Sequence, residues 1–316
     1  MDSMHKQSRF AAVLGCITVL AMAGCAANGG VSPTAPSATQ PQARGIAFGP
    51  GWVQQDGILY HVPHYMATRG QARRNSSSGI TYGGGPVEVT PKVFLIFWGY
   101  AKYGDPDKVK PLLKNYIANM GGSGHNNIYT QYYEIVSGET IYITNPSSQL
   151  GGAWDDNAHV PKNPTDSQVA AEALKGVAHF GYNANASYVV ATPHGRSTVG
   201  FGTQWCASQG VTSSKSRFVS YTNLPYMPDA GAACGAGYTT PPSDETAADE
   251  GVTIVEGHMQ GSSVIDPDPP TGWQFEGGDI NDFCAWVDIA NDPFGSHSYT
   301  MQPMYSIASQ SCVQSY

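Results

Sequence analysis

Two continuous apolar runs constrain the fold of this chain more than any other feature. They are KVFLIFWGY at 92–100 and SYVVAT at 187–192. Runs of this length and composition predict buried strands. Segments with helical spacing alternate with them, which favours a layered α/β domain with a central sheet and flanking helices. A mixed α+β arrangement is the alternative.

Three helices are predicted around these strands. Asp105 suits the N-cap of the first, and Gly121 follows its last apolar residue. The second begins at a capping box formed by Thr165 and Gln168. The third runs over about 249–263 and contains the histidine discussed below.

Composition and charge narrow the functional classes. The chain has 316 residues, of which only 13% are charged, with 37 glycines and 22 prolines. This turn-rich, low-charge composition is more typical of a secreted protein than of a cytosolic one. The net charge is −8, and no basic cluster exists beyond Arg73 and Arg74. Nucleic acid is therefore excluded as a partner, because phosphate neutralisation needs clustered Lys and Arg.

The N-terminus carries an export signal. Lys6 and Arg9 precede the apolar run FAAVLGCITVLAMAG, which ends in small residues before Cys25. The segment LAMAGC resembles a bacterial lipoprotein signal. It predicts a signal peptide at 1–24, lipidation of Cys25, and membrane attachment through the lipid anchor alone. A plain secretory signal, giving a periplasmic or secreted protein, is the alternative.

Three further segments follow the signal. Residues 26–48 are rich in Pro, Ser and Ala and predict a flexible tether. Residues 49–82 are interpreted as an N-terminal extension, and 83–316 as the globular domain.

Cysteine usage agrees with export. Outside the signal the cysteines are Cys206, Cys234, Cys284 and Cys312, an even number that fits an oxidising compartment. Four cysteines allow three pairings. We predict Cys206–Cys234 and Cys284–Cys312, the sequential pairing with the shortest loops. A thiolate zinc site is the alternative, but no CxxC spacing supports it.

The segment IVEGHMQGSS at 254–263 resembles the start of a metallopeptidase zinc helix. Such a helix needs a glutamate after the histidine as proton acceptor and a second ligand four residues on. Here Met259 follows His258, and Ser262 stands at the ligand position. On these residues alone, a hydrogen-bonded core histidine is the simpler interpretation.

Several blocks resemble one family in order along 83–316. They are GGGPVEVTPKVFLIFWG, GGSGHNNIYTQYY, YTNLPYMPDAGAACGAG, EGVTIVEGHMQGSSVIDP and GDINDFCAW. They are similar to an exported bacterial and fungal family related to phosphate-induced protein 1, the EXORDIUM group. Its helix reads as a zincin-like H-E-x-x-E motif, which is degenerate here at Met259 and Ser262.

The resemblance implies a metal site in a zincin-like layered domain. The matching candidate ligands are His258, Asp279 and Asp282, and Asp282 is also the candidate base. Zinc is the implied cofactor, although the two replacements predict that none is bound. A rearranged site would need a further ligand, for which His194, His125 and Asp266 are candidates.

Three functions are compatible with the sequence. The first is a metallopeptidase-like domain that has lost catalysis, leaving no identified catalytic residue, and that binds an envelope component such as a peptide or a glycan. The second is an active metal-dependent hydrolase with a rearranged site. The third is a carbohydrate- or envelope-binding protein that stacks sugars on tryptophans in Gly-rich loops, namely Trp52, Trp154, Trp205 and Trp273.

Overall fold

A computed structural model describes residues 51–72, 79–215, 217–275 and 278–316. The predicted signal peptide at 1–24, the lipidation residue Cys25 and the predicted tether at 26–48 lie outside these ranges. In the part of the chain that is described, no helix has the length and apolar character needed to cross a membrane.

The described elements have the following bounds. The strands are β1 (Trp52–Gln55), β2 (Ile58–Ala67), β3 (Thr81–Tyr82), β4 (Lys92–Trp98), β5 (Tyr133–Val136), β6 (Glu139–Tyr142), β7 (Leu150–Asp156), β8 (Ala186–Ala191), β9 (Trp205–Ser214), β10 (Arg217–Leu224), β11 (Trp273–Phe275), β12 (Gly278–Asp279), β13 (Ala290–Phe294), β14 (His297–Met301), β15 (Met304–Ser306) and β16 (Ser311–Val313). The α-helices are α1 (Tyr100–Tyr103), α2 (Val109–Met120), α3 (Gly124–Asn127), α4 (Asp166–Phe180) and α5 (Glu250–Ile265). Three 3-10 helices are Ile128–Gln131, Met227–Cys234 and Ile280–Phe283.

A seven-stranded mixed sheet forms the centre of the fold. Its strand order is β1-β2-β9-β10-β8-β4-β7. The first four strands pair antiparallel, whereas β10, β8, β4 and β7 pair parallel. The predicted central sheet is therefore present, and the mixed α+β description fits it. Smaller sheets are β12-β11-β3, β13-β14, β15-β16 and β5-β6.

Helices cover both faces of the central sheet because the side chains of its strands alternate between two apolar cores. On β4, Leu95 packs in the core with α2 and α5, while the next residue, Ile96, packs in the core with α4. The run KVFLIFWGY is continuous in apolar residues because it is buried on both sides.

The segment before residue 83 is part of the sheet. The sequence predicts an N-terminal extension at 49–82 before a globular domain at 83–316. In the structure, β1 and β2 belong to the seven-stranded sheet, and β2 pairs with β9 over nearly its full length. The described part of this segment is thus continuous with the domain. Its polar side chains and Gly-rich loop hid the strand pattern.

Helix boundaries follow local signals where these are complete. The capping box of Thr165 and Gln168 is present at the start of α4, and Gly181 follows its last residue. The start of α2 differs from the prediction, because the helix begins at Val109. Asp105 instead accepts hydrogen bonds from the backbone N–H groups of Val109 and Lys110.

Helix α5 lies inside the molecule. All sixteen of its residues are buried. Such a helix has neighbours on every side, and its glycines permit the closest approaches: Gly257 faces Met301, and Gly261 faces Met304 and Tyr129. The two glycines thus let the C-terminal strands that carry Met301 and Met304 lie close to the helix.

Both predicted cysteine pairs are bonded in the structure. The S–S distance is 2.03 Å for Cys206–Cys234 and 2.01 Å for Cys284–Cys312. Two disulfides are compatible with an exported, non-cytoplasmic protein.

Candidate functional site

The site is centred on His258, which α5 holds in the interior with no exposed side-chain surface. Its Nδ1 lies 3.0 Å from the amide nitrogen of Gln302, the residue that links β14 to β15. Its Nε2 lies 3.5 Å from Oδ1 of Asp282. The imidazole is therefore held between an amide on one side and a carboxylate on the other.

A second histidine reaches the same carboxylate because β2 is bulged. The pairing register with β9 shifts between His61, opposite Val211, and His64, opposite Gln209. One extra residue on β2 brings His61 and His64 to the same face of the sheet, although residues three apart face opposite sides in a regular strand. Nε2 of His64 lies 3.2 Å from Oδ2 of Asp282.

Asp282 thus lies between two imidazoles. It belongs to the 3-10 helix Ile280–Phe283, whose N-cap, Asp279, accepts a hydrogen bond from the N–H of Asn281. The side chains of Asp282 and His64 are 25% and 29% exposed, so the cluster connects the buried His258 with solvent.

Electrostatics couples the cluster. Burial alone would lower the pKa of His64, but the ion pair with Asp282 and the charges of Asp279 and Asp266 outweigh it and raise this pKa to about 9. Burial alone would raise the pKa of Asp282, and the two imidazoles, His64 first, bring it below its usual value. A protonated His64 facing an ionised Asp282 is therefore the stable form at neutral pH.

The side chains of this cluster are of the types that bind transition metals. Nε2 of His64 and Nε2 of His258 are buried, and neither has a hydrogen-bond partner among the described residues. Two ligands of one tetrahedral zinc ion lie about 3.3–3.4 Å apart, given bonds of about 2.0–2.1 Å. The separations of 3.2 and 3.5 Å from Asp282 are close to that value.

His64, Asp282 and His258 nevertheless lie in a row, with Asp282 in the middle, and do not form a closed cage. In the described ranges, no group of three or more His, Cys, Asp or Glu side chains is arranged as a ready-made metal site. Binding of an ion by His64, Asp282 and His258 would require the two imidazoles to close around it.

A cavity of about 430 Å³ opens beside the cluster. His64, Asp266 and Asp279 line it together with apolar surface from Val62, Pro63, Val211, Pro269 and Pro270. Among the described residues that line it, none is Lys or Arg. Burial raises the pKa of Asp266 to about 7, and the neighbouring Asp279 adds to this shift. The cavity is acidic and partly apolar.

Asp279, predicted as a ligand beside His258, lies elsewhere in the site. It lines the cavity. Among the ion pairs of the described residues, the carboxylate that pairs with His258 is that of Asp282. One of its oxygens serves as the cap of the 3-10 helix.

Met259 and Ser262, which stand where an H-E-x-x-E helix would carry its glutamates, do not line the cavity. Met259 is fully buried in the apolar core that contains α2. The hydroxyl of Ser262 donates to the carbonyl of His258 at 2.9 Å and accepts from the amide of Asn281 at 3.1 Å. Neither side chain can replace the glutamates of an H-E-x-x-E helix, because Met259 has no proton-accepting oxygen and Ser262 is already engaged.

The other candidate histidines pair with different carboxylates. His125 is buried against Asp292 at 3.0 Å, and His194 is half-exposed against Asp229 at 2.5 Å. Asp266 does reach the site, where its Oδ1 accepts a hydrogen bond from the N–H of Gly272.

The tryptophans act mainly as anchors. Trp205 and Trp273 are buried, and their indole N–H groups donate to the backbone carbonyls of Val199 and Tyr133. Trp154 stacks on His179 with ring centroids 4.5 Å apart. The buried rings of Trp205 and Trp273 cannot stack on a sugar, whereas Trp52 and Trp154 are partly exposed.

Sequence reasoning missed His64 and Gln302. The HVPH spacing at 61–64 was visible, but the strand bulge that aligns both histidines was not. Gln302 carries no motif, and only the packing of β14 and β15 against α5 brings it to His258.

Comparison of the chain with protein-family models, with curated proteins and with solved structures gives no match. The resemblance to the phosphate-induced protein 1 family therefore stays a prediction from the motifs in the sequence.

Proposed function

We propose that the chain is an exported, lipid-anchored protein whose cavity beside α5 binds a short peptide of the cell envelope without hydrolysing it. One observation carries this proposal: the two positions that an H-E-x-x-E enzyme requires hold a methionine in the core and a serine bonded to the helix backbone. A metal-bound water at His258 would thus have no glutamate in the usual place to accept its proton. The same proposal includes a zincin-like layered fold, in which α5 packs against one face of the central sheet and carries an incomplete metal-binding motif.

The chemistry of the cavity favours a basic peptide. Asp266 and Asp279 line it, and Asp282 lies behind His64. An amine or guanidinium of the ligand would pair with these carboxylates, while the proline and valine surface would cover its apolar groups. A short envelope peptide that carries a free amine beside apolar groups would match these features.

Peptide binding is tested with a library of short peptides and the full mature chain. Peptides that contain Lys or Arg are expected to bind. The substitution Asp279→Asn is expected to weaken their affinity about three- to tenfold, because one carboxylate charge is removed. Asp244→Asn, at an exposed carboxylate distant from the cavity lining, is the matched control. Equal loss in both variants, or a preference for acidic peptides, would contradict the proposal.

A second candidate is a metal-dependent hydrolase. The observation that favours it is the row of side chains His64, Asp282 and His258, with Asp282 in the middle. Two imidazole nitrogens and one carboxylate form a ligand set common in catalytic zinc sites, and a bound zinc ion would supply Lewis-acid activation of water. His64, Asp282 and His258 would hold the ion. Asp266, with its raised pKa, lines the same cavity as a candidate proton acceptor.

Metal content and cleavage separate the two candidates. The hydrolase requires about one zinc per chain by elemental mass spectrometry, lost in both His64→Ala and His258→Ala, together with chelator-sensitive cleavage of the peptide library. His61→Ala is the control, because His61 lines the cavity from the same strand face without contacting Asp282. Bound peptide recovered intact, with and without added zinc, would support the binding protein and rule out the hydrolase.

A further inference from the structure

A second crevice lies at one edge of the central sheet, where the four parallel strands end. The chain leaves β4 toward α2, on the face that also carries α5, and it leaves β7 toward α4, on the opposite face. Since β4 and β7 are neighbours, their outgoing connections separate at this edge. Such a divergence in an open α/β sheet is where ligands characteristically bind.

A cavity of about 280 Å³ occupies this divergence. It is lined by Tyr100 and Ala101 after β4, by Asp105 and Lys110 at the start of α2, and by Asp155 and Asn157 at the end of β7. All six residues come from the end of β7 and the residue after it, or from the stretch that runs from α1 into the first turn of α2. This cavity shares no lining residue with the cavity beside the histidine cluster.

The end of β7 supplies two consecutive carboxylates that face opposite sides of the sheet. Asp155 binds the ammonium of Lys110 of α2 through both oxygens, at 2.5 and 2.6 Å. Asp156 binds Lys175 of α4 at 3.2 Å. Only the Asp155 pair lines the cavity, so the Asp156 pair provides an internal comparison.

The N-terminus of α2 is already satisfied and does not select an anion. Asp105 accepts from the N–H groups of Val109 and Lys110, and Oδ1 also accepts from the hydroxyl of Tyr226 at 3.0 Å. An anionic ligand would face Asp105 and Asp155. A cationic ligand would find no free carboxylate among the described lining residues, because Asp155 is paired with Lys110 and both oxygens of Asp105 already accept hydrogen bonds. A neutral ligand avoids the first repulsion and does not need a free carboxylate.

From this geometry we infer that the crevice binds one sugar residue of a neutral glycan. A hydroxyl both donates and accepts, so adjacent sugar hydroxyls match the alternation of carboxylate, ammonium and amide formed by Asp155, Lys110 and Asn157. Asp155 and Asn157 are exposed at the rim, and Asn157 makes no side-chain hydrogen bond among the described residues. The volume lies at the small end of ligand pockets, which suits a single ring.

The test uses the mature chain on an array of neutral and charged glycans, followed by titration with free monosaccharides such as mannose and N-acetylglucosamine. Binding of a neutral glycan is expected, and Asp155→Asn and Asn157→Ala are each expected to weaken it at least about tenfold, or about 1.4 kcal/mol. Asp156→Asn, at the same strand end but outside the cavity, is expected to leave the affinity unchanged.

Thermal melting of each variant checks that the fold is intact. The inference is overturned if no neutral glycan binds at millimolar concentration, if Asp155→Asn and Asp156→Asn lose affinity equally, or if a charged glycan binds in preference. Because the array is read independently of the peptide library, a failure here leaves the peptide-binding proposal untouched.

Discussion

Glu88 is the clearest case of a single residue whose surroundings control its charge. Its side chain is fully buried, and burial raises its pKa to about 8, although the hydroxyl of Ser263 partly opposes the shift by donating a 2.8 Å hydrogen bond. Ser263 in turn contacts Ser220 of β10 at 2.7 Å. A protonated carboxyl therefore lies between α5 and the sheet.

Replacing this carboxyl should remove a pH dependence of stability. The pKa rises from 4.5 in the unfolded chain to about 8 in the folded one. Folding therefore carries no charge penalty from Glu88 below pH 4.5, and stability is lost progressively as pH rises from 4.5 to about 8, above which the loss is complete. Glu88→Gln should raise the free energy of unfolding by on the order of a few kcal/mol at pH 8–9 and change it little at pH 4.

Urea unfolding of both proteins across this pH range measures the difference. Glu139→Gln, at an exposed position of β6, is the control and should not alter the profile. A constant offset between Glu88→Gln and the natural chain at every pH would contradict the buried, protonated state.

His64 illustrates which residue-level features a sequence hides. The two histidines of HVPH and their spacing are visible in the sequence, yet regular alternation along a strand would place His61 and His64 on opposite faces. The bulge opposite Gly210 reverses that assignment and brings His64 to Asp282. By contrast, His258 was identified because its helix carries a local motif.

At the scale of an element, α5 shows how glycines position a buried helix. A Cβ on Gly251 would meet the backbone carbonyl of Cys234, whereas a Cβ on Gly257 would meet the flexible end of Met301. Cys234 is fixed by its disulfide, so the first contact cannot relax by a side-chain rotation.

We therefore expect Gly251→Ala to cost about 1–3 kcal/mol of unfolding free energy through overpacking. Gly257→Ala should cost less, because Met301 can move and alanine recovers up to about 1 kcal/mol of helix propensity. Denaturant unfolding of the two variants gives the comparison. A larger loss for Gly257→Ala would show that the helix, and not its neighbour, adjusts.

Elements with complete local signals were predictable, and those set by distant contacts were not. Helix α4 has its capping box and terminal glycine in the sequence, and both predictions are confirmed. For α2, the predicted N-cap Asp105 stands about one turn before the first helical residue, Val109. Its carboxylate still accepts a hydrogen bond from the N–H of Val109, while Lys108, directly before the helix, adopts a left-handed conformation. Strand β2 was missed because its pairing partner, β9, lies far along the chain.

For the whole molecule, the two disulfides offer a matched test of what a covalent link contributes. Each joins cysteines separated by 28 positions. Loop-closure entropy alone predicts about 3–4 kcal/mol for each bridge. Removing either pair by double Cys→Ala substitution should thus lower the unfolding free energy by similar amounts, measured in urea. A severalfold difference would mean that local packing and not chain entropy sets the loss.

The Cys284–Cys312 bridge also joins the two segments that supply the polar neighbours of His258. It ties the turn that carries Asp282 to β16, and β16 pairs with β15, which follows Gln302 directly. Both polar neighbours of His258 are therefore carried by segments that this one bridge joins. Because a single covalent link holds both segments, we expect reduction of the bridge to loosen the two partners of the imidazole together.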